Sequence, residues 1–403
     1  MANSSRYRIL QCEFCDDGTT GGSHQAMVDT ARLVDRRRFE PVVVFFENNR
    51  FVAPMREVGI EVHVWDRERQ SERAPHIEGR RLAKIASVIG AVRRRARLLR
   101  DAKIDLVHLN NTPALGFDDW LPAARWLGIP CVTTAMGTPY EFPTAPLRRA
   151  LTRRFERVVA ISDNVLEGLR LGGYPEAMLR KVNLGIDLEA FTGAARAPAE
   201  RVRESLGIPA DCMLVVMVAN LREWKGHSVV VSALEQLRPE LRRRLHVAFV
   251  GAVRPDDEAH QGRLVARLAQ AGATREVSWL GSRPDVPDLL NAADVALHAS
   301  TYPEPFGLVL VEALAVGKPV IAARRGGPIE IVTPQAGILF DPDDPLELVE
   351  ALEGMLESPD LRKAMGAAAR LRAQDFTARR MTDGMQRVWD ELLAGRTPVS
   401  ARP

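Results

Sequence analysis

The amino-acid sequence predicts an α/β protein made of two doubly wound parallel-sheet domains that face a cleft. Three observations support this. The 403-residue length suits two or three domains, short apolar segments alternate with helical patterns, and this alternation pauses once and then restarts. Because 46% of the residues are hydrophobic and 27% are charged, the composition is typical of a globular protein with sizeable cores.

The first half contains six predicted strands. They lie at residues 7–12, 41–46, 61–65, 106–109, 131–134 and 158–161. Long helical patterns separate them, notably at residues 83–101 and 115–127. We therefore assign residues 1–190 to an N-terminal Rossmann-like domain.

The second half repeats the pattern after a polar stretch rich in Ala and Pro. That stretch, residues 191–207, predicts an interdomain linker. Six further strands are predicted at residues 213–219, 245–250, 277–280, 295–298, 319–322 and 338–340. We assign residues 206–374 to a C-terminal Rossmann-like domain. A last helical pattern follows it, and the sequence leaves open whether residues 377–396 pack back on the first domain.

Two glutamates eight positions apart are the most informative feature of the chain. Glu304 lies in a Pro-rich loop directly after a predicted strand, and Glu312 lies in the otherwise apolar segment 308–316, which Gly317 ends. A carboxylate among apolar side chains is costly unless a polar group meets it. A ligand hydroxyl, another protein group or solvent would each serve. Both carboxylates can reach the carboxyl end of a sheet, where ligands of such sheets bind.

Three glycine-containing loops at predicted strand ends look suited to a diphosphate. Glycine permits close backbone approach, and a following helix offers free N–H groups. The loops span residues 16–23 with Gly21 and Gly22, residues 220–227 with Asn220, Arg222 and Lys225, and residues 324–328 with Gly326 and Gly327. The sequence lacks the P-loop and dinucleotide fingerprints, which argues against those two classes.

Positive charge is concentrated in the first half, although the net charge is only +3. Residues 78–157 contain 15 Lys and Arg against 7 Asp and Glu. The arginines form two clusters, one of Arg93, Arg94, Arg95, Arg97 and Arg100, the other of Arg148, Arg149, Arg153, Arg154 and Arg157. These clusters suit an anionic membrane or an anionic acceptor, and a solvated helix face stays the alternative. No motif that reads nucleic acid accompanies them.

No apolar run reaches the roughly 18 residues of a membrane span, and no signal-peptide pattern opens the chain. We therefore expect a cytoplasmic protein that contacts the inner membrane face at most peripherally.

The acidic run at residues 341–344 precedes a predicted helix and suits N-capping better than metal binding.

Several motifs in series resemble the family-4 retaining glycosyltransferases of the GT-B fold. They are the pair Glu304 and Glu312, Gly-Lys-Pro-Val at residues 317–320, Gly-Gly-Pro-Ile-Glu at residues 326–330, Lys225-Gly226 and Gly21-Gly22. The similarity covers the whole chain and is strongest over residues 213–342.

The resemblance implies transfer of a sugar from a nucleotide-diphosphate sugar, with retention at the anomeric carbon and no metal or other cofactor. Glu304, Lys225 and Arg222 would be the catalytic residues. Lys225 would neutralise the diphosphate, Glu304 would face the donor sugar and Glu312 would bind the ribose. The donor-binding residues implied are Gly21, Gly22, Asn220, Pro305, Phe306, Gly307, Leu308, Glu312, Gly326 and Gly327.

On the acceptor side the resemblance points to the loop after residue 134. The family commonly has a histidine before the glycine there, and this chain has Met136 before Gly137. His108, at the end of a predicted strand, is a further candidate. The acceptor would be a glycan, a lipid-linked intermediate or a small molecule, in cell-surface glycan synthesis. A nucleotide-sugar epimerase, a phosphorylase and an inactive binding subunit remain alternatives.

Overall fold

The computed structural model describes residues 6–13, 21–65, 81–110, 120–137, 153–193 and 197–401, with the backbone alone for residues 81–87. Contacts divide the chain into two units. The first comprises Met1–Gly185 together with Ala378–Pro403, and the second comprises Ile186–Thr377. Among the described residues, no helix is both long and apolar enough to cross a membrane.

The first unit contains a seven-stranded sheet, all parallel. Its strands are β1 (Tyr7–Glu13), β2 (Phe39–Phe45), β3 (Glu61–Val64), β4 (Leu106–Asn110), β5 (Cys131–Ala135), β6 (Arg157–Ala160) and β7 (Leu179–Lys181). The order β3-β2-β1-β4-β5-β6-β7 reverses direction between β1 and β4. The short polar edge strand β7 is the one that the sequence did not predict.

The second unit contains a six-stranded parallel sheet. Its strands are β8 (Met213–Val218), β9 (Leu245–Val250), β10 (Val277–Trp279), β11 (Val295–His298), β12 (Val320–Ala323) and β13 (Gly337–Phe340). The order β10-β9-β8-β11-β12-β13 places the reversal between β8 and β11. Both strands are almost wholly apolar and buried, as strands covered on both faces are. The two doubly wound α/β sheets confirm the predicted fold class.

Helices alternate with these strands along the chain. They are α1 (Gly22–Leu33), α2 (Val52–Glu57), α3 (Arg81–Asp101), α4 (Trp120–Trp126), α5 (Asp163–Leu171), α6 (Leu188–Thr192), α7 (Ala199–Ser205), α8 (His227–Gln236), α9 (Pro239–Arg242), α10 (Glu258–Gln270), α11 (Val286–Ala292), α12 (Leu308–Ala315), α13 (Pro328–Ile331), α14 (Pro345–Glu357), α15 (Pro359–Ala373) and α16 (Ala378–Leu393).

The C-terminal helix α16 belongs to the first unit. Trp389 is fully buried there, and its Nε1 donates a hydrogen bond to His108 Nδ1 at 3.2 Å. A Cβ on Gly384 would lie 2.6 Å from a methyl group of Val182, so the helix packs closely on the end of that unit.

The chain passes into the second unit at Ile186, slightly before the predicted linker. The Ile186 N–H donates to the Phe376 carbonyl at 3.0 Å, which ties the entry and exit of the second unit together. The predicted linker itself contains part of α6 and all of α7, while residues 194–196 lie outside the described part.

Candidate active site in the second unit

The loops that follow β8 and β11 meet at the reversal of the strand order, where doubly wound sheets bind ligands. Gly226, at a φ of +77°, makes the approach possible, because a Cβ there would lie 1.7 Å from the Ala299 carbonyl oxygen. Lys225 is thereby brought to the loop that contains Glu304.

Lys225 and Glu304 form a largely buried ion pair. Lys225 Nζ lies 2.6 Å from Glu304 Oε2, and the two side chains are 19% and 14% exposed. Burial alone would raise the pKa of Glu304, but the hydrogen bond from His298 and the charge and hydrogen bond of Lys225 outweigh it and hold the pKa at about 2. Glu304 is therefore a carboxylate at neutral pH.

His298 and Ser300 complete the surroundings of that carboxylate. His298 Nε2 lies 3.2 Å and Ser300 Oγ 3.1 Å from the same Oε2 atom. The sequence analysis gave neither residue a role in the site. The available signal was their position, because His298 is the last residue of a strand whose carboxyl end faces the site and Ser300 follows two positions later.

Gly326 and Gly327 pack against the main chain around Glu304. Gly326 has a φ of +73°, and a Cβ there would lie 2.2 Å from the Glu304 carbonyl oxygen. The Gly327 N–H donates to that oxygen at 2.8 Å, and a Cβ on Gly327 would lie 2.2 Å from the Phe306 carbonyl oxygen. These two glycines therefore fix the path of the Glu304 loop.

The N-terminus of α12 opens directly after this loop. Gly307, at a φ of +103°, caps the helix, and Leu308 is its first residue. Phe306 is buried and packs edge-on against Phe376 with ring centroids 5.8 Å apart. The first N–H groups of a helix have no intrahelical acceptor and attract anions, so this end can receive a phosphate. Pro305 lies between Glu304 and Phe306 in the same turn.

Glu312 lies on the second turn of α12 among buried apolar residues. Burial raises the pKa of Glu312 to about 7, and in the described part of the chain its carboxyl group has no hydrogen-bond partner. The polar partner that the sequence analysis asked for is thus not a protein group of the described residues. Gly317, at a φ of +74°, follows the helix end as predicted.

Arg222 and Asn220 have protein partners. Arg222 Nη1 lies 2.8 Å from Asp257 Oδ2, and Asn220 Oδ1 accepts the Ala252 N–H at 3.0 Å. Asn220 therefore holds the loop after β9, and Arg222 would have to leave or share Asp257 to meet a ligand.

Trp224 is a third residue to which the sequence analysis gave no role. Its indole ring is 39% exposed, and Lys225 Nζ lies 4.0 Å from the ring centroid. The Trp224 carbonyl accepts the Thr301 N–H at 2.8 Å. This bond is a second tie between the two loops of the site, and the ring face adds a cation–π contact to the lysine.

A cavity of about 140 Å³ lies beyond the carboxyl ends of β8, β9 and β10. Its lining includes His227, Phe249 and Trp279. The His227 ring stacks on Trp279 with centroids 6.2 Å apart, and burial lowers the pKa of His227 to about 4. His227 follows Lys225 by two positions in the sequence, and the aromatic lining of the cavity is suited to a flat aromatic ring of a ligand.

The predicted residues of the first unit are less informative. Gly21 is the extended residue before α1, and Gly22 is the first residue of that helix, while residues 14–20 lie outside the described part. Met136 and Gly137 directly follow β5. These residues belong to the first unit, whereas Lys225 and Glu304 belong to the second.

His108 is a core residue of the first unit. Its ring is 2% exposed, Nε2 lies 2.7 Å from Thr134 Oγ1, and Nδ1 accepts from Trp389. Burial lowers the pKa of His108 to about 3, so the ring is neutral at physiological pH. Because both ring nitrogens are occupied, we do not retain His108 as an acceptor contact.

The arginine clusters are only partly surface charges. Arg95 is buried with its guanidinium 4.3 Å from the Trp65 ring centroid and 5.1 Å from that of Trp120. Arg157 pairs with Glu391 at 3.2 Å. The exposed members of the described residues are Arg93, Arg94, Arg97, Arg100, Arg153 and Arg154. Arg148 and Arg149 lie outside the described part.

The acidic run at residues 341–344 has structural roles. Asp344 Oδ1 accepts the Leu346 N–H at 3.0 Å and caps α14, as predicted, while Asp341 and Asp343 both pair with Arg325. Across the described residues, no group of three or more His, Cys, Asp or Glu side chains is arranged for a metal ion.

Two family models match the chain and together span most of it. Residues 20–190 match glycosyltransferase family 4, and residues 198–372 match the glycosyl transferases of group 1. A D-inositol 3-phosphate glycosyltransferase of Saccharomonospora viridis is 31% identical over 311 residues, which cover 72% of this chain and 70% of that protein. The enzyme of the same name from Salinispora arenicola is 29% identical over 414 residues, covering 95% and 90%.

Solved structures show the same fold. The Anabaena protein Alr3699/HepE, solved with UDP and glucose, superposes with a TM-score of 0.77 at 24% identity and covers 96% of this chain and 100% of its own. A glycosyltransferase from Rickettsia africae superposes with a TM-score of 0.81 at 20% identity, covering 97% and 99%. The family matches, the relatives and the two doubly wound sheets agree, and this chain belongs to the family-4 glycosyltransferases of the GT-B fold.

Proposed function

We propose that this glycosyltransferase is a retaining enzyme that uses a nucleotide-diphosphate sugar as donor. The observation that carries the proposal is the Lys225 and Glu304 ion pair, which lies beside the N-terminus of α12 at the reversal of strand order. One cation and one helix end suit a diphosphate, and one fixed carboxylate suits the hydroxyl groups of the transferred sugar.

In this proposal the diphosphate lies on Lys225 and on the N–H groups of Gly307 and Leu308. These groups stabilise the negative charge that develops on the leaving phosphate, without a metal ion. Arg222 would add a second positive charge when it turns from Asp257. The glycines at positions 326 and 327 support the site through the backbone contacts described above.

The state of Glu304 supports a front-face mechanism. A carboxylate with a pKa of about 2 is a poor proton acceptor, and three donors on one oxygen also weaken it as a nucleophile. The bond between the anomeric carbon and the phosphate oxygen breaks, and the acceptor oxygen attacks from the same face. The departing phosphate oxygen takes the acceptor's proton, so Glu304 orients the sugar without changing its own protonation.

Glu312 is proposed to bind the ribose hydroxyls of the donor. Those hydroxyls would donate to the carboxylate and favour its ionised form, against the burial that raises its pKa to about 7. Nucleotide binding should therefore release a proton near neutral pH. The nucleobase would lie toward the cavity lined by His227 and Trp279.

The acceptor is proposed to be a glycan, a lipid-linked intermediate or a small molecule used in cell-surface glycan synthesis. Because the relatives reported above are named D-inositol 3-phosphate glycosyltransferases, inositol phosphates are the first small acceptors to test. Met136 and Gly137 are proposed to belong to the acceptor side, and Gly21 and Gly22 to contact the donor.

We also propose a cytoplasmic enzyme with peripheral attachment to an anionic membrane. Exposed arginines of α3 support it, together with Val88 and Ile89 on the same helix, which are 42% and 46% exposed. Such a face combines charge attraction with shallow apolar insertion.

A thermal-shift panel of UDP-, GDP- and ADP-sugars tests the donor assignment, since a ligand that binds only the folded state raises the melting temperature. The stabilising donor is then incubated with inositol phosphates and glycan acceptors in the presence of EDTA, and the anomeric configuration of the product is read by NMR. Inversion would contradict retention. Sugar isomerisation without acceptor, a requirement for phosphate, or nucleotide binding without turnover would favour the epimerase, phosphorylase or inactive-subunit alternative, respectively.

A further inference from the structure

We propose that His298, assisted by Ser300, is a positioning residue that holds Glu304 in place while Lys225 binds the donor diphosphate. This inference rests on the proposed function of Lys225 and Glu304. It assigns a role to a strand-end histidine that is 5% exposed.

Three donors converge on a single oxygen of Glu304. Lys225 Nζ lies 2.6 Å, Ser300 Oγ 3.1 Å and His298 Nε2 3.2 Å from Oε2. Among the described residues, no hydrogen bond reaches the other oxygen, Oε1. The protein therefore fixes the carboxylate by one oxygen and leaves the other to accept a hydroxyl group.

The hydrogen-bond pattern determines which tautomer His298 adopts. Ser300 Oγ lies within 3.2 Å of both His298 Nε2 and Glu304 Oε2, yet it has one proton to donate. A carboxylate only accepts, so that proton goes to Glu304, and Nε2 must carry the ring hydrogen. His298 Nδ1 is buried and has no partner among the described residues. A hydrogen on Nδ1 would be a buried N–H without an acceptor, so the contacts favour the tautomer that carries the hydrogen on Nε2.

This arrangement matters because Lys225 is proposed to interact with two anions, the Glu304 carboxylate and the donor diphosphate. In the structure it is bonded to Glu304, and in the proposed reaction it must also stabilise the diphosphate. A carboxylate that is only 14% exposed would lose its main partner when the lysine moves. The hydrogen bonds from His298 and Ser300 hold Glu304 in place, so the carboxylate keeps two partners when Lys225 moves toward the diphosphate.

The experiment compares His298→Leu, which removes the donor at similar size, with His298→Gln, which retains an N–H donor. We expect His298→Leu to lower kcat by about 10- to 100-fold and to weaken UDP binding several-fold by calorimetry, with GDP and ADP measured in parallel. His298→Gln should stay within about 3-fold of the wild type, and Ser300→Ala should lie between the two. If His298→Leu matches the wild type, or if His298→Gln loses as much as His298→Leu, the proposal is overturned.

A double-mutant cycle separates positioning from general damage to the fold. In a Glu304→Ala background, His298→Leu should cause no further loss of turnover or UDP affinity. In the ligand-free proteins, urea unfolding should show a coupling between the two positions of about 5-fold in the unfolding equilibrium constant. That arm does not depend on activity. Coupling with no turnover on any donor would refute the proposed function and leave the contact standing, whereas absent coupling overturns the inference even in an active enzyme.

Discussion

The α-carbon of Gly226 faces the carbonyl oxygen of Ala299 so closely that a Cβ at position 226 would lie 1.7 Å from that oxygen. No side chain fits there, and the φ of +77° is also one that side-chain-bearing residues rarely adopt. The contact joins the loop after β8 to the loop after β11. It therefore sets the position of Lys225 relative to Glu304.

Gly226→Ala should destabilise the protein by about 3 kcal/mol or more, because it combines backbone strain with an overpacked contact. Urea unfolding measures the change. Gly207→Ala is the matched control, since Gly207 has a φ of +66° and a Cβ added there would meet no atom within 4 Å, so it carries backbone strain alone. Equal losses in the two variants would show that the approach to Ala299 is not what position 226 requires.

Lys225→Ala should lower kcat about 10²- to 10³-fold at saturating donor, as loss of one group that stabilises transition-state charge does. Steady-state transfer kinetics with the donor found by the thermal-shift panel measure this. Lys363→Ala, on the exposed face of α15, is the control for removal of a lysine. Because the variant also leaves Glu304 without its cation, its melting curve must show a folded protein. Wild-type turnover in the folded variant would exclude the proposed role.

Glu312→Gln should stabilise the ligand-free protein at pH 8 and leave it unchanged at pH 4. The pKa of Glu312 is raised in the folded state from 4.5 to about 7, so the folded protein holds this proton more tightly, and stability falls as the pH rises between those values. At pH 8 the free energy of unfolding of Glu312→Gln should exceed that of the wild type by up to about 3 kcal/mol. Urea unfolding at the two pH values measures it, with Glu350→Gln on the exposed face of α14 as control.

The same Glu312→Gln variant should bind the nucleotide more weakly, because an amide replaces the carboxylate that accepts the ribose hydroxyls. Calorimetry without acceptor measures the affinity. If the variant is more stable than the wild type but binds the nucleotide equally tightly, Glu312 does not contact the ribose. The conclusion that burial raises the pKa of Glu312 would still hold.

The protein should float with anionic liposomes at low salt and detach as salt rises, since surface charge attraction is screened. A triple change of Arg93, Arg97 and Arg100 to Gln should reduce the partition coefficient about 100-fold, at about 1 kcal/mol per cation. Arg201→Gln, on α7, is the control. If the triple variant floats as well as the wild type, the membrane-binding surface lies elsewhere on the protein. If the wild type does not float at low salt, the proposal of membrane attachment is wrong.

Much of the fold was predictable because both sheets are buried on two faces. The strands at residues 245–250 and 295–298 were predicted to the residue, since each is apolar except for one histidine and has clear ends. The edge strand Leu179–Lys181 was not, because two of its three residues are charged and its partner is supplied only by the tertiary structure.

The sequence indicates candidate site residues where a residue stands out against its neighbours, and their roles stay predictions. A glutamate in an apolar helix and a lysine before a glycine are such signals, and they indicated Glu312 and Lys225. His298 and Ser300 could not be ranked from the sequence, because their importance depends on the direction in which the strand end points. His108 was misleading for the same reason, since a strand-end histidine gives no sign that Trp389 occupies its second nitrogen.

That last hydrogen bond has a consequence for the independence of the first unit. Its histidine and tryptophan partners stand 281 positions apart, with the entire second unit inserted between them in the chain. A fragment that stops at Gly185 would lack the indole of Trp389 and leave its place in the core of the first unit unfilled. During synthesis on the ribosome, the core of the first unit can be completed only after α16 has been made. The N-terminal half is therefore an incomplete folding unit until the last few dozen residues arrive.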